Sequence, residues 1–189
     1  MIYKSYELER KKIYEKDIFL LYGENDGLKK YLIDEIIDKK KVQYNSYKFS
    51  GNEILKNSET IYNLIFSGTL FDPYILIIID NCSDKLLDLI EDIFLKKIEK
   101  VCIIFKAEKL DKKSKLRSLF EKDKKLACIP CYEDTEIDLK KIIQKEIVQN
   151  KIKISQESIN MLVQRARGNR SNLKNELDKI ISFSEKKKN

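Results

Sequence analysis

The sequence predicts an α/β protein in which a doubly wound sheet of five parallel strands is followed by a small three-helix unit. Three observations carry this reading. Short apolar runs alternate with apolar residues at helical spacing from Ile18 to Ile129. Two of the runs, Ile75 to Ile79 and Val101 to Phe105, are almost purely apolar, as strands buried on both faces of a parallel sheet must be. After Pro130 the strand pattern stops and only helical spacing remains.

Taken in order, Ile18 to Tyr22 reads as the first strand and Leu28 to Ile37 as the helix that follows it. Tyr44 to Phe49, where aromatic and polar residues alternate, reads as a second strand, and Thr60 to Phe66 as a second helix with Ile61, Leu64 and Ile65 on one face. A turn bracketed by Gly68 and Pro73 leads into the Ile75 to Ile79 strand, which ends at Asp80. Ser83 is placed to cap a helix carrying Leu86, Leu87, Ile90, Ile93 and Phe94. Val101 to Phe105 is the fourth strand, Leu116, Leu119 and Phe120 line a short helix, and Lys125 to Ile129 is the last strand. The sheet domain is therefore assigned to residues 1–132 and the helical domain to 133–189. In the latter, Thr135 with Asp138 forms a capping box, Ser155 opens the second helix, Gly168 ends it, and Leu173, Leu177, Ile180 and Ile181 line the third.

Composition narrows the function. With 42% apolar residues, 5 Gly and 2 Pro in 189 residues, the chain is expected to fold. The net charge of +7 comes from interleaved signs, 38 basic against 31 acidic, so most of the charge reads as a solvated surface compatible with DNA nearby. Histidine is absent, which removes Ser-His-Asp and Cys-His nucleophiles and histidine metal sites together. No segment approaches the roughly 20 apolar residues of a membrane span, and MIYKSYELERKK is no export signal, so a soluble cytoplasmic protein with reduced thiols is expected. Cys128 and Cys131 have redox spacing, but Glu133, Asp134 and Glu136 follow them and disfavour a thiolate.

The loop between the first strand and first helix has the outline of a phosphate-binding loop, which requires glycine, four variable residues, glycine, lysine and a hydroxyl residue. Gly23 and Lys29 fall at the right spacing, but Leu28 stands in place of the second glycine and Lys30 in place of the hydroxyl residue that holds magnesium. Asp80, at the end of an aliphatic strand, is either the magnesium carboxylate of such a site or a turn cap. The next position, where a hydrolysing site carries a glutamate to activate water, is Asn81, which cannot accept the proton. A nucleotide-binding architecture without nucleotide chemistry is the expectation. In SGTLFDPY, Leu70 and Phe71 either tuck back onto the sheet or form an apolar anchor for a partner. The Lys-rich stretch Lys106 to Lys115 is either a solvated loop and helix start or a basic sheet edge that could approach DNA phosphates, and it is left unassigned.

LYGENDGLKKYLIDEI, SGTLFDPYILIIIDN, IIFKAEKLDKKSKLRSLF and RGNRSNLKNELDKI, in that order across the chain, resemble the delta subunit family of the bacterial DNA polymerase III clamp loader. The resemblance implies a RecA-like AAA+ sheet domain with a three-helix lid, and a bacterial cytoplasmic protein of DNA replication. It implies a non-catalytic subunit of the polymerase holoenzyme that binds and helps open the sliding clamp (the beta subunit) while neighbouring loader subunits hydrolyse ATP. It implies no cofactor, metal, small-molecule substrate or membrane contact, and DNA contact that is weak or indirect. The family's clamp-binding element maps onto Thr69, Leu70 and Phe71. The family's nucleotide-sensing arginine aligns with Ser171, with Arg170 one place early, and its helical collar domain has no counterpart before Asn189. The alternative within the same fold is another inactive relative, such as the loader's stator.

Overall fold

The computed structural model describes Tyr3 and residues 13–67, 74–96 and 98–186. The chain forms two units: Met1–Gly23 with Leu32–Cys131, and Glu24–Tyr31 with Tyr132–Asn189. Glu24–Tyr31 thus group with the helical part, which begins at Tyr132.

In the first unit, strands β1 (Ile18–Tyr22), β2 (Asn45–Ser50), β3 (Ile75–Asp80), β4 (Val101–Ala107) and β5 (Ala127–Pro130) form one parallel sheet in the order β2-β3-β4-β1-β5. Every residue of β1 is buried, as are Ile75–Ile79 and Val101–Phe105, which is why these segments read as unbroken apolar runs. β2 lies at an edge and keeps Asn45, Ser46 and Lys48 exposed. The core packs Phe105 edge-on against Phe120, ring centroids 5.8 Å apart.

The helix predicted at Leu28 to Ile37 is longer, α1 (Asp26–Lys40). Between β2 and β3 the single predicted helix is replaced by α2 (Gly51–Lys56), α3 (Ser58–Tyr62) and a π-helical turn at Asn63–Ser67. The break is local chemistry: Glu53 accepts the Ser50 N–H (3.1 Å) at the start of α2, and Asn57, with φ −144°, leaves the helical region before α3. With Ile54 as its single buried apolar side chain, α2 has no periodic signal to read.

The predicted Ser83 cap is also corrected. Ser83 precedes a 3₁₀ turn at Asp84–Leu86 without a side-chain capping bond, and α4 begins only at Leu87 (Leu87–Leu95). The neighbouring Asp84 instead serves α5 (Lys115–Lys122), accepting the Ser114 hydroxyl at 2.6 Å and the N–H groups of Lys115 and Leu116 at 3.0 Å. β5 starts at Ala127 rather than Lys125, because Asp123 takes the Lys125 N–H (2.7 Å) in the preceding turn.

In the second unit α6 (Glu136–Gln149), α7 (Gln156–Ala166) and α8 (Arg170–Lys186) pack around Leu139, Ile143, Leu162, Val163, Leu173 and Leu177. The caps fall where predicted: Thr135 accepts the Asp138 N–H and Asp138 the Thr135 N–H, both at 3.2 Å, and Ser155 accepts the Ser158 N–H at 3.1 Å. Arg167 and Gly168, at φ 49° and 71°, end α7 in left-handed geometry. Among the described residues no helix is long and apolar enough to cross a membrane.

Candidate functional site

On the sheet side, β1 delivers the chain to Gly23, whose N–H donates to the Glu108 carbonyl (3.1 Å), while the Cys131 N–H donates to the Tyr22 carbonyl (2.6 Å). Gly23 has φ 131°, and a Cβ there would lie 2.2 Å from the Cys131 carbonyl oxygen. The first glycine of the motif is therefore required by close backbone approach, whatever the loop binds.

Asp80 ends β3 beside β4, and the register that pairs Ile79 with Phe105 brings Lys106 alongside it. The Lys106 ammonium donates to Asp80 Oδ1. A protein cation thus sits against the carboxylate whose task in a working site is to hold magnesium, and the two side chains compensate each other. Lys106 belongs to β4 and not to a solvated loop. Asn81 adopts φ 55°, a left-handed conformation that asparagine tolerates, and its carbonyl oxygen lies where a Cβ on Gly51 would come within 2.8 Å. Its place in the motif is filled by a residue suited to a tight turn and unable to take a proton.

The other motif positions lie in the second unit. Asn25, 1% exposed, accepts the Leu28 N–H through Oδ1 (3.0 Å), and its carbonyl accepts the Lys29 N–H (3.0 Å). It is the N-cap of α1, and it satisfies a helix-terminal donor of the kind that a phosphate-binding loop turns toward its anion. The Asn25 amide nitrogen donates to the Tyr132 carbonyl (3.1 Å) and to Asp134 Oδ2 (2.9 Å). Leu28 is buried, Lys29 is buried with its ammonium 3.0 Å from Asp26 Oδ1, and Lys30 is exposed.

Asp134 is the hub of this arrangement. Its side chain is 4% exposed and receives Arg170 through two donors, Nε to Oδ2 and Nη2 to Oδ1, both 2.8 Å. The guanidinium also lies 5.1 Å above the Tyr31 ring. A Cβ at Gly27 would fall 2.4 Å from the Ser171 nitrogen, so the start of α8 packs directly on the first turn of α1. The arginine that stands one place early in the sensing pattern is thus committed to an internal carboxylate.

All four cysteines are buried, and burial pushes the Cys82, Cys102 and Cys128 thiols up to about 12. Burial thus disfavours the thiolate form of these three. A thiol-reactive dye is expected to label none of the four in the native protein and all four in denaturant, with rapid native labelling of Cys128 or Cys131 the result that would restore the redox reading. Among the described residues no group of cysteine and acidic side chains is placed to hold a metal ion. Thr69, Leu70 and Phe71 lie outside the described residues.

No family model and no curated protein sequence matches the chain. Solved structures do. The chain superposes on the Bacillus subtilis DNA clamp loader delta protein with a TM-score of 0.57 at 17% identity, over 94% of this chain and 56% of that one. It matches the Thermotoga maritima RuvB Holliday junction branch migration motor with a TM-score of 0.54 at 22% identity, over 89% of this chain and 56% of that one. Domain III of the Thermotoga maritima replication initiation protein DnaA gives 0.53 at 12% identity, over 97% of this chain and 82% of that one. The chain has a RecA-like AAA+ fold. It spans a little over half the length of the clamp loader protein and the branch migration motor. Within the first unit Asp80 is paired with Lys106, and within the second Asn25 caps α1 and Arg170 is bound to Asp134.

Proposed function

We propose that the chain is a delta-type clamp-loader subunit that binds the sliding clamp and helps hold it open, without hydrolysing ATP itself. The observation that carries the reading is the pairing of Lys106 with Asp80 in an AAA+ fold, and within the second unit α1 is capped by Asn25. A motor of this fold needs a free carboxylate for magnesium and open helix-terminal donors for phosphate. A subunit that acts by binding needs neither. The order of the four motifs and the likeness to a clamp loader delta protein support a sliding clamp as the partner, with other loader subunits joining in the assembled machine.

In this reading Leu70 and Phe71 enter an apolar pocket on the clamp, with Thr69 beside them. Burial of each large side chain contributes about 1.5 to 3 kcal/mol, and ring opening is favoured to the extent that the open ring is bound more tightly than the closed one. Titration against the sliding clamp of the same organism tests it. The wild-type chain is expected to bind at micromolar Kd or tighter. A Leu70→Ala, Phe71→Ala double variant of unchanged thermal stability should bind about 100-fold more weakly. Absence of binding by the wild-type chain would overturn the proposal.

A further inference from the structure

Three segments far apart in the sequence converge on one carboxylate of the second unit. Asp134 receives Arg170 Nε at Oδ2 and Nη2 at Oδ1, both at 2.8 Å, and Asn25 Nδ2 at Oδ2, at 2.9 Å. Asn25 stands 109 positions before Asp134, and Arg170 36 positions after it. Each donor is aimed by a contact of its own. Asn25 Oδ1 accepts the Leu28 N–H at 3.0 Å, which turns the amide nitrogen toward Asp134. The Arg170 guanidinium lies 5.1 Å from the Tyr31 ring centroid. The acceptor is fixed as firmly, because the Asp134 N–H donates to the Gly168 carbonyl at 2.8 Å.

A guanidinium offering two parallel donors, with a neutral amide beside it, is a donor set suited to a free carboxylate or phosphate. Here the chain supplies the anion. Asn25 caps α1 and Tyr31 lies on that helix, whereas Arg170 is the first residue of α8. Asp134 belongs to neither helix and precedes α6. Its carboxylate is therefore a third body that joins the first turn of α1 to the start of α8, as a bound ligand would. The two helix ends meet closely, since a Cβ on Gly27 would fall 2.4 Å from the Ser171 nitrogen. A largely buried guanidinium at this junction needs an anion to stay there.

We propose that Asp134 is a built-in oxyanion, filling a site that Arg170 and Asn25 would otherwise offer to a small carboxylate or phosphate, and that it clasps α1 to α8 without a ligand. The inference rests on the geometry of the second unit alone and does not need the clamp reading.

Chemical rescue tests it. Asp134→Ala leaves a gap of the lost carboxylate's size, which formate matches, whereas Asp134→Leu fills it. Melting temperatures are compared in sodium formate and in sodium chloride at equal ionic strength, so that general screening cancels. Asp134→Ala is expected to melt below wild type in chloride and to recover about half of the loss at about 0.2 M formate. Wild type, Asp134→Leu and an Asp134→Ala, Arg170→Met double variant should show no such gain. If Asp134→Ala does not fold in chloride, a cooperative melt in formate is the expected result. Formate acting on Asp134→Ala no better than chloride, or equally on the double variant, would overturn the proposal. Asp134→Asn, which keeps the shape and loses the charge, reads the clasp itself. Hydrogen exchange at the Leu28 N–H is expected to quicken about tenfold while β1 stays protected, and unchanged protection of Leu28 would contradict the clasp.

Discussion

Gly23→Ala is expected to destabilise the protein by about 2 to 6 kcal/mol, measured as a lower denaturant midpoint. Two costs combine. At φ 131° an alanine is strained, typically by about 1 to 3 kcal/mol. Its Cβ would also lie 2.2 Å from the Cys131 carbonyl oxygen, so backbone must move, an overpacking cost of about 1 to 3 kcal/mol. Both arise from the approach of β1 to Cys131, so the loss is expected with no nucleotide present. An alanine tolerated to within 1 kcal/mol would show that the chain passes Cys131 more loosely than described.

The second large effect is expected at Asp134. Asp134→Leu removes the carboxylate that receives two Arg170 donors and the Asn25 amide, leaving a largely buried guanidinium unpaired. Removing one partner of a buried pair costs about 3 to 5 kcal/mol, and the 19% exposure of Arg170 brings the expected loss to about 2 to 4 kcal/mol. Adding Arg170→Met should recover much of this, since an apolar side chain leaves no charge to satisfy. Denaturant unfolding of the two single variants and the double variant measures the coupling. Strict additivity would contradict the hub role of Asp134.

How legible this was depended on the range of the signal. β1, β3 and β4 were plain because strands buried on both faces become continuous apolar runs. The caps at Thr135 and Ser155 were plain because each acts within three residues. α2 was missed because six residues with one buried apolar side chain have no period. At the site, the departures at Leu28, Lys30 and Asn81 could be read directly, whereas what stabilises the altered site could not. Lys106 reaches Asp80 through the register of neighbouring strands, 26 positions apart in the chain, and looked like part of a lysine-rich loop. Asp134 meets Arg170 across 36 positions. Asn25 did have a local signal, an asparagine immediately before the helix, inside a loop whose Gly23–Lys29 spacing resembles a phosphate motif.

The proposal that this chain does not bind nucleotide is tested most directly by calorimetric titration with magnesium and ATP. No saturable heat is expected up to millimolar ATP, because Asn25 caps α1 and Lys106 pairs with Asp80. Magnesium-dependent binding at micromolar Kd would contradict it and return the chain to the nucleotide-binding members of its fold.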